Sequence, residues 1–408
     1  MFKIFGVLHQ RHFIALVNVL LVTVSRCDFV TKDRLIFVQI ICRHGDRSPE
    51  WIPVESSNMW PVKAGQLTPL GMHQASQVGK YFKKQYVDID KLINESYDPF
   101  ESRFFATSTD RTKQTVLLIA STMYNNTLNL SCFPIPYSMQ EFDIAINWNT
   151  FCPAYDNYLR DVVNSDNTQF AKNFNRNHEY IISELSNRLQ TRLSFRSLYR
   201  AYDLFLTEAI HKIRRPYVNE SIFQFVRQAA LTSLQQLISK TYKSHLRFSP
   251  GFHLIFKNFE KKLDKTLNAN MLMYVAHDVT IHGWLHWLCG DKPNTMVGYV
   301  AFISMELYAL TPISGGNDRS KSYQHGIKIY MYKGTHSKHF TVRRKDITYL
   351  ICKGQKYCSI SELKAILKPL FMMDYEKECK SATFTNLPVN LKLIFILFVV
   401  IVYVQLEC

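Results

Sequence analysis

Apolar residues fall into three patterns along this chain. Two short runs are almost unbroken, Leu35–Cys42 (Leu-Ile-Phe-Val-Gln-Ile-Ile-Cys) and Met271–Ala276 (Met-Leu-Met-Tyr-Val-Ala). Runs of that length, rich in β-branched and aromatic residues, predict strands buried on both faces. Elsewhere apolar residues recur at three- and four-residue steps, as at Val116, Leu117, Ile119, Ala120 and Met123, at Ile181, Ile182, Leu185 and Leu189, and from Ile222 to Leu237. That spacing predicts amphipathic helices. The stretch from about 136 to 250 reads as helical throughout, with an internal break near Pro216. Strands and helices interleaved in this way predict an α/β fold with a mixed, mostly parallel sheet flanked by helices.

The third pattern is a longer apolar block at each end. Residues 1–26 carry Lys3 and Arg11 ahead of an apolar core, Phe13–Val24, with a small residue at Ser25. This is the pattern of a secretory signal peptide, with an uncleaved anchor as the alternative. At the other end the apolar core Leu393–Val404 is shorter than the roughly twenty residues of a span. Small residues at Ser381, Ala382 and Thr383 and a spacer through Asn390 precede it, which is the order of a lipid-anchor signal. The rival is a short hydrophobic anchor over 387–406 in which Lys392 snorkels to the interface, and simple secretion is the third alternative. The expected location is therefore the secretory pathway: anchored by the C-terminal segment at the cell surface or lysosome, or secreted. In that compartment the four sequons at Asn94, Asn125, Asn129 and Asn219 mark surface glycosylation sites. Nine cysteines point to disulfides.

Composition narrows the class. The chain has 408 residues, 47% of them apolar, enough for full cores and too apolar for disorder. A net charge of +16 raises the question of nucleic acid. The basic residues are scattered, with no Lys/Arg run of five or more, so no nucleic-acid partner is expected. A positive field that draws small anionic phosphate esters is the simpler account.

Candidate chemistry sits where the two strand-like runs end. The first runs into Arg43-His44-Gly45-Asp46-Arg47 and the second into His277-Asp278. Ligands of open α/β sheets bind at the carboxyl ends of strands. Guanidinium forks match phosphate oxygens, and an imidazole between cations is held neutral, hence nucleophilic. The first cluster suits phosphoryl transfer onto His44, and Asp278 is positioned in sequence to serve as an acid for the leaving group. Gly45 is expected to let the backbone bend sharply, and its carbonyl to fix the His44 tautomer. Arg111, in Thr-Ser-Thr-Asp-Arg-Thr ahead of a helical pattern, offers a second wall for an anion, with pairing to Asp110 as the plainer alternative. His282 and His286 have the spacing of zinc ligands, but no acid or cysteine completes a set, and Trp284 and Trp287 favour a packing helix. No metal or other cofactor is expected. Four residues separate Cys42 from Arg47, one fewer than in a cysteine-phosphatase loop, and Cys42 reads as a buried thiol.

On these residues the chain resembles the histidine acid phosphatases, in particular the prostatic and lysosomal branch. The likeness runs from Arg43-His44-Gly45-Asp46-Arg47-Ser48-Pro49 through Gln66-Leu67-Thr68, Leu70-Gly71-Met72, Asn94-Glu95-Ser96-Tyr97 and Asp110-Arg111-Thr112 to Tyr274 and Ala276-His277-Asp278. It implies a phosphoglycerate mutase-like α/β fold with a smaller α-helical domain inserted. The implied boundaries are 27–135 and 251–380 for the two parts of the catalytic domain and 136–250 for the insertion. It implies His44 as nucleophile, Asp278 as proton donor, and Arg43, Arg47, Arg111 and His277 as phosphate ligands, without metal. It implies disulfides Cys152–Cys379 and Cys352–Cys358. A third family bridge is missing, because the matching positions near Thr207 and Phe302 are not cysteine. Small phosphate monoesters are the implied substrates, and a homodimer is left open. The alternative function is a near-inactive surface or secreted protein on the same fold that binds a phosphorylated ligand or a partner.

Overall fold

Strand β1, Arg34–Arg43, is buried along almost its whole length, which explains why it lacks the alternation of a half-exposed strand. Its side chains split between two cores: Phe37 and Ile41 enter one, Val38, Ile40 and Cys42 the other. Gln39, the one polar residue in the run, donates to the Ile255 carbonyl at 2.9 Å and accepts from Asn258 at 2.9 Å, so its burial is compensated. The computed structural model describes residues 33–380 apart from 125–151, 161–164, 214, 240–241, 291–293, 311–324 and 372–373. The expected signal peptide, the sequons at Asn125 and Asn129, and the C-terminal segment 387–406 lie outside the described residues. Among the described residues no helix is long and apolar enough to cross a membrane.

Six strands form one mixed sheet in the order β2-β3-β1-β4-β5-β6, where β2 is Ser102–Ala106, β3 Met271–Ala276, β4 Phe302–Ala309, β5 His325–Tyr332 and β6 Lys345–Asp346. β1 and β2 each pair with β3 in parallel, while β4, β5 and β6 continue from β1 by antiparallel pairing. β4 and β6 therefore run opposite to the other four strands.

Helices cover both faces. α1, Pro69–Phe82, is started by Thr68, whose hydroxyl accepts the Gly71 N–H at 3.1 Å, with Pro69 in the first turn. It packs on α2, Asp110–Met123, through a close approach at Gly79, and both bury apolar faces against one side of the sheet. Between β2 and β3 the described chain is helical: α3 Gln169–Asn177, α4 Glu179–Arg188, α5 Leu198–Ile210, α6 Glu220–Ile238 and α7 Tyr242–Leu263. Ile182, Leu185 and Leu189 build a core of their own with α5 and α6, and Pro216 lies in the link between those two helices. α7 belongs instead to the second face of the sheet, through Phe252, Ile255, Phe256 and Phe259. The expected 250/251 boundary thus falls inside a helix, at Pro250. On the same face, α8, Asp278–Cys289, stacks Trp284 on Phe252 at 4.1 Å and ends at Gly290 with φ of 69°.

Cys152 is bonded to Cys379 and Cys352 to Cys358, with Cα separations of 5.2 and 5.7 Å. The first bridge joins a short helix, Pro153–Tyr158, to the C-terminal helix Tyr375–Lys380, beside Leu246. Asn94 and Asn219 are exposed, and the Asn219 side chain caps α6 by accepting the Ile222 N–H at 3.0 Å.

Candidate active site

The register of two parallel strands brings the sequence-predicted residues together. Arg43 pairs with Ala276 at the carboxyl ends of β1 and β3, and the His44 amide donates to the Ala276 carbonyl at 3.1 Å. His44 and His277 therefore leave the sheet side by side, their ring centroids 5.6 Å apart and edge to face. Both are buried. His44 Nδ1 lies 2.8 Å from the Gly45 carbonyl, an acceptor only, so Nδ1 carries the proton and the Nε2 lone pair is free. Burial, then the charges of Arg111 and Arg43, then His277 and Arg47, hold the His44 pKa well below its ordinary value. The ring is neutral, as a nucleophile must be. His277 is lowered to about 3, by burial and then Arg111 against the opposing pull of Asp278, and its Nε2 pairs with the Thr107 hydroxyl at 3.1 Å.

Three arginines converge on this pair, and each holds a carboxylate. Arg43 reaches Asp278 at 2.9 Å, Arg47 reaches Asp203 at 3.0 Å, and Arg111 reaches Glu50 at 3.1 Å. Arg43 also donates to the Val297 carbonyl at 2.6 Å and stacks over the Tyr299 ring at 4.3 Å. Among the described residues, the buried Nε of all three guanidiniums has no hydrogen-bond partner. Such donors are rare in folded proteins because each forfeits its hydration. Asp278 opens α8, and burial alone would raise its pKa; Arg43 and Arg47 outweigh that and hold it below the ordinary carboxylate range. Arg111, in the first turn of α2, turns to Glu50 across the site, while Asp110 accepts from Gln66 at 3.4 Å.

These groups line a cavity of about 530 Å³ together with residues of the helical segments, some apolar (Leu159, Leu234, Leu237) and some polar or charged (Ser197, Arg196, Arg200). The site is thus a pocket whose inner end carries three arginines and two histidines. That arrangement can hold a tetrahedral anion against a neutral imidazole.

The sequence profile of the histidine phosphatase superfamily (branch 2) matches residues 50–309. The chain belongs to that superfamily. The matched span takes in Arg111, His277 and Asp278 and begins just past the Arg43–Pro49 motif. Mouse prostatic acid phosphatase is 23% identical over 367 residues, covering 86% of this chain and 90% of its own. Lysosomal acid phosphatase of Xenopus laevis is 23% identical over 436 residues, covering 98% and 92%. Among solved structures, the phytase of Klebsiella sp. ASR1 superposes with a TM-score of 0.58 at 12% identity, covering 87% of this chain and 98% of its own. A Hafnia alvei phytase bound to tartrate gives 0.58 at 14%, covering 83% and 97%. These two likenesses are of fold. Family and sequence relatives together support a phosphatase.

Several residues of this candidate site carry no signal in the sequence. Asp203 and His211 come from α5 and its C-terminus. Asp203 holds Arg47, and His211 donates to Asp46 at 2.7 Å. The Asp46 carboxylate, fully buried, also accepts from Thr68, which ties the nucleophile turn to the cap of α1. The Gly45 carbonyl holds the His44 ring as expected, but the reason for glycine at that position differs from the expected sharp bend. Its φ is not in the left-handed region, and a Cβ there would stand 2.5 Å from the Gly71 carbonyl oxygen. Gly45 and Gly71 are small because two backbones touch, not because the turn is tight. His282 is structural: its Nε2 accepts the Val297 N–H at 3.0 Å, which positions the carbonyl that Arg43 grips. The Cys42 thiol donates to the Arg43 carbonyl at 3.2 Å, and burial pushes its pKa far up, so it is no thiolate nucleophile.

Proposed function

We propose that the chain hydrolyses phosphate monoesters through a phosphohistidine on His44, with Asp278 as proton donor and no metal. The observation that carries this reading is a neutral, tautomer-fixed His44 facing three arginines whose Nε donors are buried and unpartnered. In the first step His44 Nε2 attacks phosphorus as the bond to the leaving oxygen breaks. Arg43, Arg47, Arg111 and His277 take the equatorial charge, and fixed donors of this kind contribute about 3 kcal/mol each to such a transition state. Asp278 is ionised in the free protein, where Arg43 and then Arg47 outweigh its burial. A bound phosphate dianion takes over Arg43, raises the Asp278 pKa, and lets it carry the proton that the leaving alkoxide needs. In the second step Asp278, now a carboxylate, takes a proton from water, which attacks the phosphohistidine and releases phosphate and neutral His44.

Release of p-nitrophenol from its phosphate at mildly acid pH, unaffected by a chelator, is the expected result. His44→Ala should abolish it, together with the acid-labile phosphoryl adduct trapped on the wild type. An adduct that persists in His44→Ala, or wild-type protein with no turnover that still binds phosphate, would overturn the assignment, the latter in favour of a phosphoprotein- or ligand-binding role.

We further propose a secretory-pathway protein held at its C-terminus. The two disulfides, the apolar ends of the sequence and relatives named prostatic and lysosomal support this. Release from intact cells by phosphatidylinositol-specific phospholipase C would support a lipid anchor, and activity that only detergent extracts would support the short hydrophobic anchor; full secretion without treatment would refute the proposal.

A further inference from the structure

The three carboxylates that neutralise the arginines are not equivalent. Asp278 and Asp203 have side chains 34% and 19% exposed, whereas Glu50 is 49% exposed. Glu50 follows the nucleophile motif directly, and its backbone N–H is pinned to Asp203 Oδ2 at 3.0 Å. That anchor fixes where its side chain starts. From there Oε1 reaches both Arg111 at 3.1 Å and Arg47 at 3.7 Å. These two guanidiniums oppose each other: burial and then Arg47 lower the Arg111 pKa, and Glu50 counters them. Glu50 thus sits as a lone oxyanion bridging two phosphate-binding arginines at the edge of the cavity. A non-bridging phosphate oxygen would need the same donors. Half exposed and on a flexible stem, Glu50 can swing to water, whereas Asp203 is held on α5.

We propose that the Glu50 carboxylate is a built-in competitor for the phosphate site, which reoccupies the Arg47–Arg111 pair between turnovers and speeds the departure of inorganic phosphate. The idea rests on the reading of this pocket as a phosphate site. A ligand that must displace an internal partner binds more weakly by the fraction of time that partner is in place. The pair is partly solvated, so the effect is modest. Phosphate and substrate affinity should rise by about two- to fivefold when the charge is removed.

The test is inorganic phosphate itself. Its dissociation constant by calorimetry, and its inhibition constant against p-nitrophenyl phosphate, would be measured for wild type, Glu50→Gln and Glu50→Ala. Both variants should bind phosphate more tightly and show stronger product inhibition. A residue that merely props up the arginines would do the opposite, so unchanged or weaker binding in the variants overturns the inference and leaves the phosphatase reading standing. Absence of phosphate binding in all three proteins would overturn both.

Discussion

In the proposed reaction the chemistry starts from a histidine held neutral. His44 is buried among cations, and its Nδ1 proton is committed to Gly45. Arginines this buried need partners, since removing one member of a buried pair typically costs about 3–5 kcal/mol. Here the partners double as machinery. Asp278 is an ion-pair partner of Arg43 in the free protein and a proton donor in the proposed reaction. Asp278→Asn keeps the shape and removes the acid. Alkyl phosphates, with poor leaving groups, should slow by about 10²- to 10⁴-fold, and aryl phosphates far less. Steady-state rates on paired alkyl and aryl esters decide the matter: equal losses would make Asp278 structural.

At the scale of elements, the site depends on a backbone contact between the nucleophile turn and the start of α1. A Cβ on Gly71 would clash with the Asp46 carbonyl oxygen and lie 2.7 Å from the Asp46 amide nitrogen. Neither neighbour is a flexible side chain, so the turn itself must move. Gly71→Ala should cost about 1–3 kcal/mol, as overpacking does. It should also lower turnover by about a hundredfold, because an ångström of misplacement at a reacting group is that expensive. The urea midpoint and kcat of the variant check both, and a variant with wild-type turnover would refute the coupling. The same turn is held from the other side by α5, through Asp203 and His211. Two helices thus converge on five residues, and the nucleophile inherits the rigidity of both.

The whole molecule keeps several histidines neutral in its interior, and that makes its stability depend on pH. Burial lowers His277 to about 3 and His282 to about 4, each with Asp278 opposing. In the unfolded chain both titrate near 6.5. As pH falls below that value the unfolded state takes up protons that the folded state refuses, so stability falls too. At pH 5 the loss is up to about 2 kcal/mol for each histidine. Asp278, held below the ordinary carboxylate range, adds a loss of the same sign at still lower pH. Urea midpoints at pH 7 and pH 5 should show the lower value at pH 5; equal midpoints would mean that the two rings are protonated in the folded protein. The sheet meanwhile carries one buried acid, Glu306 on β4, neutralised by Arg344 and by the hydroxyls of Tyr86 at 2.8 Å and Tyr308 at 2.7 Å.

Much of this was legible in the amino-acid order because its causes are local. A strand covered on both faces must be apolar at every position, so β1 and β3 announced themselves. Three- and four-residue spacing marked Ile182, Leu185 and the face of α2 in the same way. The motif Arg43–Arg47 is contiguous, so its charge and its imidazole were visible together. β4 and β5 were hidden, β4 by Glu306, a carboxylate made tolerable there by Arg344 and the two tyrosine hydroxyls. Asp203 and His211 could not be seen from sequence either. They meet Arg47 and Asp46 across 156 and 165 residues of separation, and no local pattern encodes contacts of that range. Residue order determined which groups were on hand, an imidazole, its arginines and an acid. Tertiary structure decided which carboxylate each arginine holds and that Gly45 meets Gly71, because pairing and close approach depend on where distant backbones come to rest.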